Sequence, residues 1–190
     1  MSALATAAAT LACVTAGAAG TPYSTGVNCR TVEVDGRQRQ YLVYVPRRPA
    51  VTGPERPVVF MYHGTSGDGE RFLKISGWRE QADATGLVAV FPTGLRYRVL
   101  DSGRRVTKWN SFDLAADLDP GETPADDVAF TDAMLADLEA QLPVDARRVY
   151  ASGFSNGAEF TARLAVERST VFAAAAFSAG GLYAPAAPPA

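Results

Sequence analysis

Between Arg147 and Phe160 the chain reads RRVYASGFSNGAEF, a strand pattern that turns into a helix pattern across one serine with a glycine two residues to either side. No other stretch constrains the backbone as strongly. A strand that turns sharply and re-enters the domain as a helix needs small residues where the backbone crowds, and Gly153 and Gly157 stand at those places. Such a turn pushes the Ser155 hydroxyl out at the carboxyl edge of a sheet, and the helix after it brings free amides and a positive dipole end to the same spot. The functional reading is a nucleophile turn for acyl transfer; the plain reading is a glycine-rich turn.

The surrounding sequence supplies a sheet for this turn. From Thr31, TVEVDGRQRQYLVYVP reads as a hairpin around Asp35 and Gly36, with Tyr41, Val43 and Val45 alternating against Leu42 and Tyr44. PVVFMY and LVAVFPTG are short continuous apolar runs, the signature of strands buried on both faces of a parallel sheet. Between them, ERFLKISGWREQADATG carries Phe72, Leu73, Ile75, Trp78 and Ala82 near helical spacing and stops at Gly86. A polar loop is predicted over 95–122. In the helix predicted from TPADDVAFTDAMLADLEAQL, Thr123 caps, Pro124 takes the first position, Asp126 completes a box-like contact, and Val128, Thr131, Leu135, Leu138 and Leu142 face inward. SNGAEFTARLAVERS reads as the next helix and TVFAAAAFSAGG as the last strand. Strands alternating with helices predict a three-layer α/β domain with a mainly parallel sheet.

At 190 residues, 47% hydrophobic and 20% charged, the chain has the composition of one ordinary globular domain. A net charge of -2 leaves no basic footprint for nucleic acid. Residues 1–20, MSALATAAATLACVTAGAAG, carry no charge and read as the apolar and cleavage regions of a secretory signal peptide, although the basic start is missing. Stable membrane insertion is not expected of so much Ala, Gly and Thr. Cys13 in TLAC weakly resembles a lipoprotein cleavage box, and removal of this segment would leave Cys29 as an odd cysteine. The folded domain is expected over 29–183, followed by an Ala/Pro-rich end at 184–190.

HGTSGDG, from His63 to Gly69, follows the PVVFMY strand at the position of a loop that brings a backbone amide to a substrate oxygen, and Gly64 permits the close approach. The amides of Thr65 and Asn156 are the expected oxyanion donors. His63 is the single histidine of the chain and precedes the serine; it reads as a loop-shaping residue, with the role of catalytic base as the alternative. Asp113, Asp117, Asp119 and Glu122 cluster in one loop, where a solvated acidic loop is favoured over a calcium site. Trp109 reads equally as pocket lining or loop packing, and Asp126 and Asp127 read as helix capping rather than as paired catalytic carboxylates. No metal and no cofactor are called for.

Taken together, YLVYVP, MYHGTSGDG, SGWREQADATGLVAVFPTG, ADDVAFTDAMLADLEAQLPVDARRVYASGFSNGAEF and VFAAAAFSAGG resemble, in order and spacing, the polyhydroxybutyrate depolymerase and feruloyl esterase family of the α/β-hydrolase superfamily. The resemblance covers roughly residues 31–183. It implies an exported serine esterase with Ser155 as nucleophile and the Thr65 and Asn156 amides as oxyanion hole. The implied substrates are polyhydroxyalkanoates, short-chain esters, or feruloyl and acetyl esters on polymers. In the α/β-hydrolase order the acid and the histidine follow the serine, yet the 35 residues after Ser155 contain neither Asp nor His. The expectation is therefore a C-terminally truncated α/β-hydrolase fold lacking the last strands, whose exposed apolar sheet edge promotes self-association. The alternative is a catalytically inactive binding domain without a triad.

Overall fold

The computed structural model of the protein describes residues 17, 18, 20–50 and 53–181. In chain order its strands are β1 (Gly17–Ala18), β2 (Gly26–Val34), β3 (Arg37–Val45), β4 (Arg56–Tyr62), β5 (Val88–Pro92), β6 (Leu95–Arg98), β7 (Arg105–Lys108), β8 (Val144–Phe154) and β9 (Ala174–Ser178). The α-helices are α1 (Gly69–Ile75), α2 (Trp78–Thr85), α3 (Asp127–Glu139) and α4 (Asn156–Glu167). Most of the strands form one sheet in the order β1-β2-β3-β5-β4-β8-β9. The pairs β5/β4, β4/β8 and β8/β9 run parallel, as does the short β1/β2 contact, while β2/β3 and β3/β5 are antiparallel. The sheet is thus mainly parallel with an antiparallel wing, as the alternating strand and helix patterns predict.

Period-2 alternation divides this sheet between two cores. In β4, Val58, Phe60 and Tyr62 join Val128, Phe130, Met134 and Leu138 of α3 and Phe160 and Leu164 of α4 on one face. Val59 and Met61 point the other way, onto Phe72 and Leu73 of α1 and Ala82 of α2. Each such side chain, taken fully from water, stabilises the fold by about 1.5–3 kcal/mol. Helices on both faces complete the three layers of the expected α/β domain.

The β2/β3 hairpin turns at Asp35 and Gly36, whose φ values of 50° and 70° match the right-handed twist of the flanking strands. Its first strand starts at Gly26, five residues before the predicted start at Thr31. The helix predicted between PVVFMY and LVAVFPTG is two helices, because Gly77 adopts φ 79° and breaks the run. Ile75, the last residue of α1, does not share the inward stripe of Phe72 and Leu73 and is 63% exposed.

Two expectations near α3 are corrected. Its N-cap is Asp126, whose side chain accepts from the Ala129 N–H at 2.8 Å, so Thr123 and Pro124 precede the helix. Asp127 does not cap; it is fully buried against Arg39. The 95–122 segment is likewise not a plain polar loop. It holds the antiparallel β6/β7 hairpin and a 3-10 helix at Leu114–Asp117, and Tyr97, Val99, Leu114 and Leu118 form a small core of their own. Three of its acidic residues meet basic partners: Lys108 bonds Asp117 at 2.5 Å, Arg105 pairs with Glu122 at 3.3 Å and Arg98 with Asp119 at 3.6 Å.

In the 190-residue chain Cys29 is disulfide-bonded. Most of the expected leader, including Cys13, and the 184–190 end lie outside the described residues. No helix among the described residues is long and apolar enough to cross a membrane.

Candidate active site

The carboxyl ends of β4, β5 and β8 lie side by side because these strands are parallel neighbours. The predicted loop and the predicted turn emerge from β4 and β8 there. Ser155 stands between β8 and α4 with φ 52° and ψ -125°, a positive-φ conformation that costs a non-glycine residue about 1–3 kcal/mol. Neighbouring bonds hold it: the Ser155 N–H donates to the Ser178 carbonyl at 2.9 Å, and the Ser155 carbonyl accepts from the Ala158 N–H at 2.7 Å.

The glycines around Ser155 are sites of close approach. A Cβ on Gly157 would run into the carbonyl oxygens of Tyr62 and His63, and one on Gly153 into the Gly157 carbonyl. A Cβ on Gly64 would lie 3.2 Å from the Ser155 Cβ, so the HGTSGDG loop presses directly against the serine turn. Gly180, which the sequence reading did not single out, packs against the same turn. A Cβ there would sit 2.8 Å from the Ser155 carbonyl oxygen. The only signal for it was the Gly-Gly pair after the last strand.

Neither the Thr65 N–H nor the Asn156 N–H has a hydrogen-bond acceptor among the described residues. Asn156 is the first residue of α4 and is buried, so its amide belongs to the unpaired donors of a helix start. Its side chain is fastened: Oδ1 accepts from the Trp109 N–H at 2.7 Å, and Nδ2 donates to the Trp109 carbonyl at 3.3 Å and to Glu159 at 3.3 Å.

Trp109 proves to be packing rather than pocket lining, since it is fully buried. Its indole stacks on Phe160 with centroids 5.6 Å apart, meets Tyr62 edge-on at 5.2 Å, and donates Nε1–H to the His63 carbonyl at 2.8 Å. One residue on, the Asn110 N–H donates to Asp127 Oδ2 at 2.6 Å. Asp127 in turn bonds Arg39 at 2.5 Å with both side chains fully buried. Burial pushes the Asp127 carboxyl up, against the pull of Arg39 and of the Asn110 amide. A chain of contacts thus runs from β3 through α3 and the Trp109 loop to the start of α4.

His63 is not available as a base in this arrangement. Its Nε2 accepts from the Gly94 N–H at 2.9 Å, which places the proton on Nδ1, donating to the Gly64 carbonyl at 2.8 Å. Desolvation pulls its pKa from 6.5 down to about 4, against the smaller opposing effects of the Gly64 bond and Asp68. The unfolded chain therefore takes up this proton near pH 6.5 and the folded chain only near 4. The stabilisation from neutral His63 is complete above about 6.5 and is lost as the pH falls towards 4. Urea titrations at pH 7.5 and pH 5 are expected to show a loss of about 2 kcal/mol that His63→Asn lacks. Identical pH slopes in the two proteins would remove this linkage.

The family described as "Esterase PHB depolymerase" matches residues 39–188. The inferred esterase NocK of Nocardia uniformis subsp. tsuyamanensis is 35% identical over 160 residues, which make up 83% of this chain and 42% of NocK. The chain therefore spans less than half the length of that relative. Among solved structures, a ferulic acid esterase matches with a TM-score of 0.62 at 17% identity, over 90% of this chain and 64% of its own. The acetyl xylan esterase from Aspergillus awamori matches with a TM-score of 0.60 at 20% identity, over 83% of this chain and 55% of its own. At such identities the structural likeness speaks for the fold.

Proposed function

This chain belongs to the PHB depolymerase esterase family, and from that premise we propose that it carries the nucleophile and oxyanion hole of a secreted serine esterase. The observation that carries this reading is the serine turn. A strained Ser155 sits between two close-packed glycines, with the Gly64 loop against it and the unpaired amides of Thr65 and Asn156 on its two flanking elements.

In the proposed reaction the Ser155 Oγ attacks the ester carbonyl carbon, and the carbonyl oxygen becomes an oxyanion that the Thr65 and Asn156 N–H groups stabilise. Collapse of this intermediate breaks the ester C–O bond, the departing oxygen takes up the proton released by the Ser155 hydroxyl and leaves as the alcohol, and water then hydrolyses the acyl-enzyme to the free acid and restores the Ser155 hydroxyl. Oxyanion donors of this kind are worth about 3–4 kcal/mol of barrier each. The proton acceptor for Ser155 is not assigned to a residue of this chain. His63 has both ring nitrogens engaged, and a carboxylate on α4 such as Glu159 bonds the Asn156 side chain instead.

The proposed substrates are carboxylic esters on polymers: polyhydroxyalkanoate, feruloyl or acetyl esters. Export is proposed because residues 1–20 carry no charge and have the composition of the apolar and cleavage regions of a secretory leader. Self-association is proposed through β9, the edge strand of the described sheet, whose Phe177 is 42% exposed. Light scattering at rising concentration is expected to show a growing mean mass; a constant monomer mass rejects that contact.

The engagement of His63 favours a second reading, in which this chain folds and binds but does not turn over ester. Fluorophosphonate labelling separates the two. Labelling of the chain well above that of Ser155→Ala is expected for an activated serine, whereas equal labelling leaves the binding reading in place.

A further inference from the structure

A cavity of about 760 Å³ opens between the β6/β7 hairpin and the loop that follows β4. Ser66 and Gly67 form part of its wall. They lie two and three residues beyond Gly64, which touches the Ser155 turn, so the wall begins roughly 7–11 Å of chain from that contact. The hairpin is fastened at this point: the Ser66 N–H donates to the Thr107 carbonyl at 2.9 Å, and the Thr107 hydroxyl donates to the Gly67 carbonyl at 2.6 Å.

Strand alternation gives the hairpin two unlike faces. Leu95, Tyr97 and Val106 pack with Val99 and Leu114, whereas Arg96, Arg105 and Thr107 share the opposite face by register. Arg96, Arg104 and Arg105 all line the cavity. Arg105 is answered by Glu122 at 3.3 Å, but Arg96 donates only to the Arg105 carbonyl at 3.3 Å, and the Arg104 side chain has no partner among the described residues. Of the two carboxylates in the wall, Glu70 bonds Lys74 at 2.6 Å and Asp68 accepts the Arg71 N–H at 2.7 Å. Among the described residues, Arg96 and Arg104 are the cations of this wall that pair with no carboxylate, while Asp68 is engaged only by a backbone amide.

We propose that this cavity is an anion-accepting subsite in which Arg96 and Arg104 hold a free carboxylate of the substrate, carried some bonds away from the ester cleaved at Ser155. The substrate class is an ester whose acyl or alcohol part ends in a carboxylate. Guanidinium suits this because its planar donors match a carboxylate fork and keep their charge at every working pH. The inference rests on the esterase reading of Ser155, but binding tests it separately from turnover.

The experiment titrates the 190-residue chain carrying Ser155→Ala with monomethyl glutarate and with its neutral counterpart, dimethyl glutarate, following the amide signals of the hairpin by NMR. The monoester is expected to bind about fivefold more tightly, since hydrogen bonds between charged groups outweigh neutral ones. High salt is expected to erase the preference by screening exposed charges. Arg96→Gln with Arg104→Gln is expected to abolish it, and Arg96→Lys with Arg104→Lys to retain part of it. Equal binding of the two esters, a preference that survives the glutamine pair, or no binding of either ester overturns the subsite. Failed fluorophosphonate labelling with the carboxylate preference intact would instead reject the esterase reading and leave the subsite standing.

Discussion

Trp109→Ala is expected to destabilise the protein by about 3–5 kcal/mol, the range for truncating a large aromatic side chain in a packed core. Trp109 is fully buried and contacts Tyr62 at the end of β4, His63 in the loop after it and Phe160 in α4, so no single shift closes the space it leaves. The Nε1–H bond to the His63 carbonyl is lost as well. Trp109→Phe keeps an aromatic ring and removes that donor, and is expected to cost about 1–3 kcal/mol from the unpaired buried carbonyl and the smaller ring. Urea unfolding of the three proteins measures both steps. An alanine variant no less stable than the phenylalanine variant would mean that Trp109 does not tie the Gly64 loop to α4.

The second large effect is expected at Asp127. Asp127→Ala leaves Arg39 buried without its counter-charge, a change that costs about 3–5 kcal/mol when one partner of a buried ion pair is removed. Arg39 makes this cost hard to relieve. Its Nε and Nη1 atoms are already buried without acceptors among the described residues, and its guanidinium lies 4.1 Å from the Phe130 ring centroid. Asp127→Ala also frees the Asn110 amide and so loosens the loop that carries Trp109. The double change Arg39→Met with Asp127→Leu is expected to recover most of the loss, because apolar groups of similar size often replace a buried pair without penalty. Equal losses in the single and double variants would show that the cost comes from cavity and loop rather than from the stranded charge.

Much of the fold was legible in residue patterns. PVVFMY and LVAVFPTG form adjacent parallel strands, and RRVYASGFSNGAEF forms the strand, turn and helix expected of it. The misreadings have separate causes. In ERFLKISGWREQADATG the helical spacing of apolar residues concealed the left-handed Gly77, because one glycine barely disturbs a periodicity. In the 95–122 segment, strands four residues long gave too little alternation to stand out among charged neighbours. Asp126 and Asp127 are adjacent and alike in type, yet one faces solvent as a cap and the other is buried. Only the packing of α3 against β2 and β3 distinguishes them.

From sequence alone follow the serine turn, its two crowding glycines, the glycine loop after β4 and the alternation that builds a mainly parallel sheet. These depend on backbone sterics and on side-chain period, which are properties of a few neighbouring residues. Tertiary structure decided how the side chains around the turn are spent. His63 gives its Nε2 to Gly94, 31 residues away; Asn156 is bound to Trp109, 47 residues away; Arg39 is paired with Asp127, 88 residues away. A buried polar group must take a partner wherever the chain supplies one. Those partners are set by how the sheet and helices pack, and local pattern carries no trace of them.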